Sequence, residues 1–208
     1  EVERLRPFIA SFHSTEWNEK TGKPLLSVNT WRPEVVNKIL PLGVDLLNDI
    51  GALHSNDNAK LCADHGTALL IMHSVGLPKE PHLGEKYEDI VAKVNGFFEE
   101  KISVSESAGL HREQIVLDPG IDFAKDRQDN LLLLKHLNAL TIHKRPLLVP
   151  VSRKTVIGEV LGIKEPQDRD AGTVACSVTS ILRGASILRV HNVSATVKAV
   201  RTLDPLLK

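Results

Sequence analysis

Apolar runs over residues 25–30, 45–50, 68–73, 114–118, 147–152 and 186–192 alternate with amphipathic segments along the whole chain. Runs of that length, bounded by polar residues, read as buried parallel strands. Alternation of this kind leaves few folds open, because each parallel pair needs a crossover, normally a right-handed one through a helix. The helical segments fall at 2–12, 33–40, 58–65, 87–108, 128–139, 171–183 and 194–203. Pro33 suits a first helical turn, and Gly66, Gly109 and Gly184 stand where helices stop. The polar stretches 13–23, 76–85 and 162–168 are the expected flexible places. The fold class is therefore α/β. A closed TIM-type (β/α)8 barrel of this class has eight strand–helix units in about 250 residues. The present 208 residues supply six, and open on a helix. Either the sheet is open or two units are missing. The abrupt helical start favours the second, with 1–208 a single domain that is incomplete at its N-terminus.

Charge narrows the function classes. Lys and Arg total 26, as do Asp and Glu, so no general field draws the chain to nucleic acid or an anionic membrane. Aromatic content of 4% disfavours a base-stacking platform. No apolar stretch approaches a membrane span, and the N-terminus lacks a signal-like region. A cytoplasmic location is expected, or an organelle such as the mitochondrion if a targeting segment lies upstream. Cys62 and Cys176 lack zinc or redox spacing and read as reduced core thiols. Asn192-Val-Ser194 fits a glycosylation sequon that, without a signal peptide, is taken as chance.

Polar motifs stand directly at the ends of the apolar runs, where ligands collect in parallel α/β folds. Arg189 and His191 are two apart, so on a strand they share a face, and together they suit a phosphate or pyrophosphate. The bland alternative has Arg189 pairing with a carboxylate and His191 capping a turn. Lys154, in Ser152-Arg-Lys-Thr155, is a mobile donor able to reach a ring carbonyl or ring nitrogen, and a solvated surface lysine otherwise. Asp118, in Asp-Pro-Gly120, emerges from an apolar run and needs partners. N–H groups of a heterocycle would supply them, or the carboxylate fixes its own turn. Asn29 and Asn48 also end strands; their amides can read a ring edge or close a loop. Asp49 points to the other face and is expected to fix its turn. His73, beside His54 and His65, matches no common zinc spacing.

Taken in order, Ser-Val-Asn-Thr30, Leu-Asn-Asp49, Met-His73, Leu-Asp-Pro-Gly-Ile-Asp-Phe-Ala-Lys125, Ser-Arg-Lys-Thr155, Arg-Asp-Ala-Gly-Thr173 and Leu-Arg-Val-His-Asn-Val193 resemble the pterin-binding barrel family, most closely its dihydropteroate synthases. The match in order and spacing covers essentially the whole chain. The resemblance implies an eight-stranded α/β barrel that condenses a dihydropterin diphosphate with 4-aminobenzoate, releasing pyrophosphate with help from Mg²⁺. Carried over, Asn29, Asn48, Met72, Asp118 and Lys154 hold the pterin. Phe123, Lys154 and Thr155 border the aminobenzoate, and Arg189 and His191 bind the pyrophosphate. Asp118, Lys154, Arg189 and His191 are the catalytic set. No metal ligand is assigned within the chain; the ligand for Mg²⁺ is expected in the missing N-terminal part. A homodimer through the last helices, and a fusion to another folate-pathway enzyme, are further implications.

The sequence departs from the family at three places. Asn29 stands where the family has an aspartate, and Asp122 and Ala124 replace glycines of the acid motif. These departures motivate a rival reading as a non-catalytic pterin-binding or regulatory homologue. A pterin-dependent methyltransferase domain is a third, opposed by the Arg-x-His pair, since a methyl donor has no pyrophosphate to hold. An open barrel is also expected to leave strand edges and apolar core exposed.

Overall fold

A computed structural model describes residues 1–17, 20, 22–76 and 85–207. The polar stretches 13–23 and 76–85 lie partly outside these residues. The chain divides into two compact units, the first built from Glu1–Met72 and Glu99–Val116, the second from His73–Phe98 and Leu117–Lys208. The described strands number six, all parallel where paired.

Unit 1 runs α1 (Val2–Ser14), β1 (Ser27–Asn29), α2 (Pro33–Ile39), β2 (Leu46–Asp49), α3 (Asp57–His65) and β3 (Ala68–Met72), and takes the second half of α4 (Ile90–Ser107). Pro33 opens α2 and a left-handed Gly66 closes α3, as their sequence positions imply. Asn29 pairs in register with Asn48, and Asn48 with Leu70. Side chains alternate along a strand, so Asn29, Asn48, Leu70 and Met72 share one face at the carboxyl ends. Val28, Leu47, Leu69 and Ile71 take the opposite face and are buried, with Val36, Ile39, Ala59 and Cys62 in the same apolar core.

Unit 2 takes the first half of α4, the end of β4 (Ile115–Asp118), then α5 (Arg127–Lys135), β5 (Leu147–Val149), α6 (Thr155–Leu161), α7 (Asp170–Leu182), β6 (Ala185–Leu188) and α8 (Val193–Leu207). Leu117 pairs with Leu147 and Val149 with Leu188, with a register shift after Leu147. Two helical stretches differ from the sequence reading, and β5 and β6 end earlier than their apolar runs. The stretch 128–139 is not one helix: α5 begins at Arg127, capped by Asp126, whose carboxylate accepts from Asp129 N–H at 2.8 Å, and after Lys135 the chain tightens into a 3-10 helix over Leu137–His143. Helix α6 gave no periodic signal, because it has seven residues and holds a glycine, Gly158. The polar stretch 162–168 contains part of a 3-10 turn (Pro166–Arg169). Arg169, buried, donates to the carbonyls of Ile163 and Lys164.

In unit 2 the side chains of Leu182, Ile187, Val193 and Val197 are 36–60% exposed. Cys62 is buried, but Cys176 is only half-buried on α7 rather than in the core; both are free. Among the described residues no helix is long and apolar enough to cross a membrane.

Candidate active site

The segment after β4 is the densest polar structure in unit 2. Asp118 is buried, and its Oδ1 accepts the Gly120 N–H at 2.8 Å. The turn-fixing role weighed from sequence is therefore real, but it uses one oxygen. Among the described residues no donor is bonded to the other. Gly120 is obligatory here: its φ is +68°, and a Cβ would lie 1.9 Å from the carbonyl oxygen of His73. That close approach accompanies a ladder bond, His73 N–H to Asp118 O at 2.9 Å. The backbone stays left-handed at Asp122 (φ 64°) and Ala124 (φ 50°). Non-glycine residues rarely adopt this conformation, and the glycines that the resemblance implies at both positions would fit this backbone without strain.

Lys125 closes the segment back on itself. Its ammonium donates to His73 Nδ1 (2.8 Å), Phe123 O (2.9 Å) and Gly120 O (3.0 Å). Sequence reasoning quoted Lys125 within the motif but gave it no role, and considered His73 only as a metal ligand. Their exchange is set by three-dimensional approach, and only the clustering of a lysine after an Asp-Pro-Gly turn hinted at it. Burial, more than the Lys125 charge, takes His73 from 6.5 down to about 3. Burial likewise draws Lys125 from 10.5 down to about 7, against the charges of Asp118 and Asp129. Asp118 is driven up from 3.8 to about 6 by burial, against the Gly120 N–H and the positive charges of Lys154, Lys125 and Arg189. Removal from water dominates all three groups.

Lys154 is the residue that caps α6, and Thr155, exposed, is its first residue. Lys154 Nζ donates to Ile121 O at 3.0 Å and sits 4.5 Å from the Phe123 ring centroid. Lys154 and Phe123 are thus together, and the solvated-lysine alternative fails. Burial lowers the Lys154 ammonium, opposed by Asp122 and then Asp118.

Arg189 and His191 are corrected in one respect. Strand β6 stops at Leu188, so both lie in the turn before α8 and strand alternation does not align them. Instead, Arg189 N–H reaches Val149 O at 3.4 Å, while Ser152 Oγ sits 2.9 Å from His191 Nδ1 and accepts the His191 N–H at 3.1 Å. Both side chains are exposed. Asn192 follows, donating to Asp170 Oδ2 (2.9 Å) and accepting from Ala195 N–H (3.0 Å), which commits the sequon asparagine to capping α8. Asp170 also takes both arms of Arg153, at 2.7 and 3.1 Å, and its carboxyl falls to about 2, first through Arg153 and then Asn192.

In unit 1, Met72 is buried and Asn48 nearly so, with Asn29 exposed beside it. Among the described residues nothing is bonded to Asn48 Oδ1 or Thr30 Oγ1. A buried acceptor without a donor is costly, so both are candidates for a ligand's N–H groups. Asp49 fixes its turn as expected: Oδ1 accepts from Gly51 N–H at 2.7 Å and Oδ2 from Asn58 Nδ2 at 2.8 Å.

Three kinds of comparison agree with this arrangement. The pterin binding enzyme family matches residues 1–191. The chain is 38% identical over 182 residues to the dihydropteroate synthase of Escherichia coli (strain K12), covering 88% of this chain and 64% of that protein. It thus spans just under two thirds of the length of such curated relatives. The dihydropteroate synthase structure from Thermus thermophilus superposes with a TM-score of 0.90 at 36% identity, covering 100% of this chain and 80% of that one. The Xanthomonas albilineans enzyme in complex with 7,8-dihydropteroate gives 0.88 at 34%, covering 100% and 74%. With the ordered strand-end motifs, a left-handed acid segment and an unfinished buried carboxylate all in place, the chain belongs to the family of pterin-binding enzymes.

Proposed function

We propose that this chain carries the chemistry of dihydropteroate synthase, condensing a dihydropterin diphosphate with 4-aminobenzoate to give dihydropteroate and pyrophosphate. The observation that carries the reading is Asp118: a buried carboxylate with one bonded oxygen, placed among the charges of Lys154, Lys125 and Arg189. In this reading its remaining oxygen accepts the N–H groups of the pterin ring and Lys154 donates to the ring's acceptors. In unit 1, Asn48 Oδ1 has no bonded donor, and the resemblance assigns Asn48, with Asn29 and Met72, to the pterin. The six strand–helix units are then read as part of a (β/α)8 barrel, supported by the Thermus superposition.

The amine nitrogen attacks the exocyclic methylene carbon, the carbon–oxygen bond breaks, and pyrophosphate leaves with the electron pair while the amine loses a proton. Positive charge developing on the pterin is stabilised by Asp118, and negative charge on the leaving group by Arg189 and His191. No nucleophile from the protein is required. Removing one such group typically raises the barrier by about 3–4 kcal/mol. Mg²⁺ prefers an oxygen cage, whereas the pyrophosphate side here offers Arg189 and His191. Among the described residues no three His, Cys, Asp or Glu side chains converge. These residues do not fit a protein-held Mg²⁺, and no step is routed through it. The exposed Leu182, Val193 and Val197 on or beside the last helices support a homodimer.

The test supplies dihydropterin diphosphate and labelled 4-aminobenzoate, with pyrophosphate and labelled dihydropteroate expected as products. Failure to form product together with failure to bind pterin diphosphate would overturn the reading. Pterin binding without turnover would instead favour the non-catalytic homologue, for which Asn29 is the motivation; Asn29→Asp should then restore turnover.

A further inference from the structure

Asp122 does more than occupy a glycine position. With φ at 64°, its Cβ leaves the loop in a direction no glycine can use. The side chain is held from several sides. Its carboxylate accepts the backbone N–H of Thr155 and, at 3.3 Å, that of Val156, the first two N–H groups of α6. Asn130 clamps it from below, donating Nδ2 to Asp122 Oδ1 at 3.2 Å and accepting Asp122 N–H at 2.8 Å. Asn130 is itself buried and anchored to Asp126 O at 2.8 Å, so the clamp is rigid.

Every residue assigned to the aminobenzoate adjoins this carboxylate. Phe123 is the next residue, Thr155 is bonded to it, and Lys154 is both the cap of α6 and the cation over the Phe123 ring. Among nearby charges, Asp122 ranks ahead of Asp118 in holding Lys154 protonated against burial. An anion delivered to this end of the segment meets a fixed negative charge. It also finds the α6 N–H groups already engaged and its cation shared.

We propose that Asp122 is a specificity-determining residue, whose carboxylate disfavours a negatively charged second substrate and favours an aryl amine that is neutral at the end away from its nitrogen. This rests on the synthase reading above. Within that reaction it narrows the margin by which 4-aminobenzoate is held over neutral 4-substituted anilines.

The experiment uses the full chain with pterin diphosphate present and measures dissociation constants for 4-aminobenzoate and for 4-aminobenzamide. The two probes share shape and amine and differ in charge. Asp122→Asn keeps a side chain that tolerates the left-handed backbone and removes the charge; Asp122→Gly removes the side chain and relaxes the backbone. Both variants should shift the benzoate-to-benzamide affinity ratio roughly tenfold toward benzoate, the order expected of one like-charge contact in a partly dry site. A ratio unchanged in both variants, with both amines bound, overturns the role of Asp122. If neither amine binds to any form while pterin diphosphate does, the aminobenzoate assignment fails and takes the inference with it. If pterin diphosphate does not bind either, the synthase reading itself has failed.

Discussion

Asp118→Asn should make the protein more stable and less able to hold a pterin. In the folded chain the carboxyl sits near 6, raised from 3.8 mainly by burial. That difference corresponds to about 3 kcal/mol of preference for the protonated form, an upper bound. Because the folded value is the higher one, the stability contributed by the neutral acid is fully present below about 4. It is lost as pH rises through 6, so at pH 7.5 the ionised group costs nearly the whole amount. Asparagine imitates the protonated acid: it cannot ionise, and its Oδ1 can keep the 2.8 Å bond from Gly120 N–H. Thermal melts at pH 7.5 should rise by up to about 6–12 °C, at roughly 2–4 °C per kcal/mol for a chain of this size. The gap between variant and parent should shrink steadily toward pH 4.5. Pterin affinity, read by fluorescence titration, should fall about a hundredfold with loss of the charged acceptor. A variant less stable than its parent at pH 7.5, or a gap that ignores pH between 5 and 8, would refute the account of Asp118 as an unfinished buried charge.

Lys125→Met keeps the aliphatic stem but leaves three acceptors without their donor, and should cost about 1–3 kcal/mol at pH 7 in urea unfolding. Lys125 is lowered on folding, to about 7, so the unfolded chain binds the extra proton and this group makes stability rise between pH 7 and 10. Melts of the methionine variant should lose that slope; an unaltered slope would remove Lys125 as its source. Gly120→Ala places a Cβ against His73 O with φ at +68°, and should cost about 3 kcal/mol or more, seen as a large fall in the urea midpoint. Ser152→Ala removes the hydroxyl that holds both the ring and the N–H of His191. It should weaken pyrophosphate binding in calorimetry by about three- to tenfold, with the thermal midpoint little changed.

How much of this was legible in the sequence depends on the range of the interaction. All six strands were visible from apolar runs because burial of β2 to β5 needs them; the carboxyl end of β4 was read correctly and the others one to four residues long, most at 186–192. There the run continues past Leu188, but Asn192 caps the next helix and ends the strand early. Helix α6 was invisible because it is short, holds Gly158, and has its start specified by Asp122, thirty-three residues away, and not by a local cap. Asp118 and Lys154 were found because a charged residue ending an apolar run is anomalous by itself. Lys125, His73 and Ser152 carry no such anomaly; their roles exist only once the chain ends of neighbouring strands come together. The departures at Asp122 and Ala124 were legible as replaced glycines, whereas the left-handed backbone they retain could be known only from the dihedral angles.

Three aspartates show why Asp118, rather than any buried acid, marks the site. Asp49 is buried as deeply and is likewise raised by burial, so a displaced pKa does not distinguish the two. Hydrogen bonding does. Asp49 has a donor on each oxygen, from Gly51 and Asn58, on the face of β2 opposite Asn48. Asp170 receives three donors from Arg153 and Asn192, and its carboxyl falls. Both are completed by the protein, and their work is to hold a turn or to brace the β6–α8 corner. Asp118 alone of the three keeps an oxygen with no bonded donor among the described residues, at the carboxyl end of a strand, with cations arranged nearby but not in contact. A carboxylate oxygen largely removed from water without a donor is costly, and a ligand's N–H would offset that cost. The same logic applies in unit 1 to Asn48 Oδ1, unbonded on the face shared with Asn29 and Met72. The polar groups that the fold completes explain its stability, and Asp118, Asn48 and Thr30, left without a full set of donors at strand ends, are the groups the proposed pterin reading draws on.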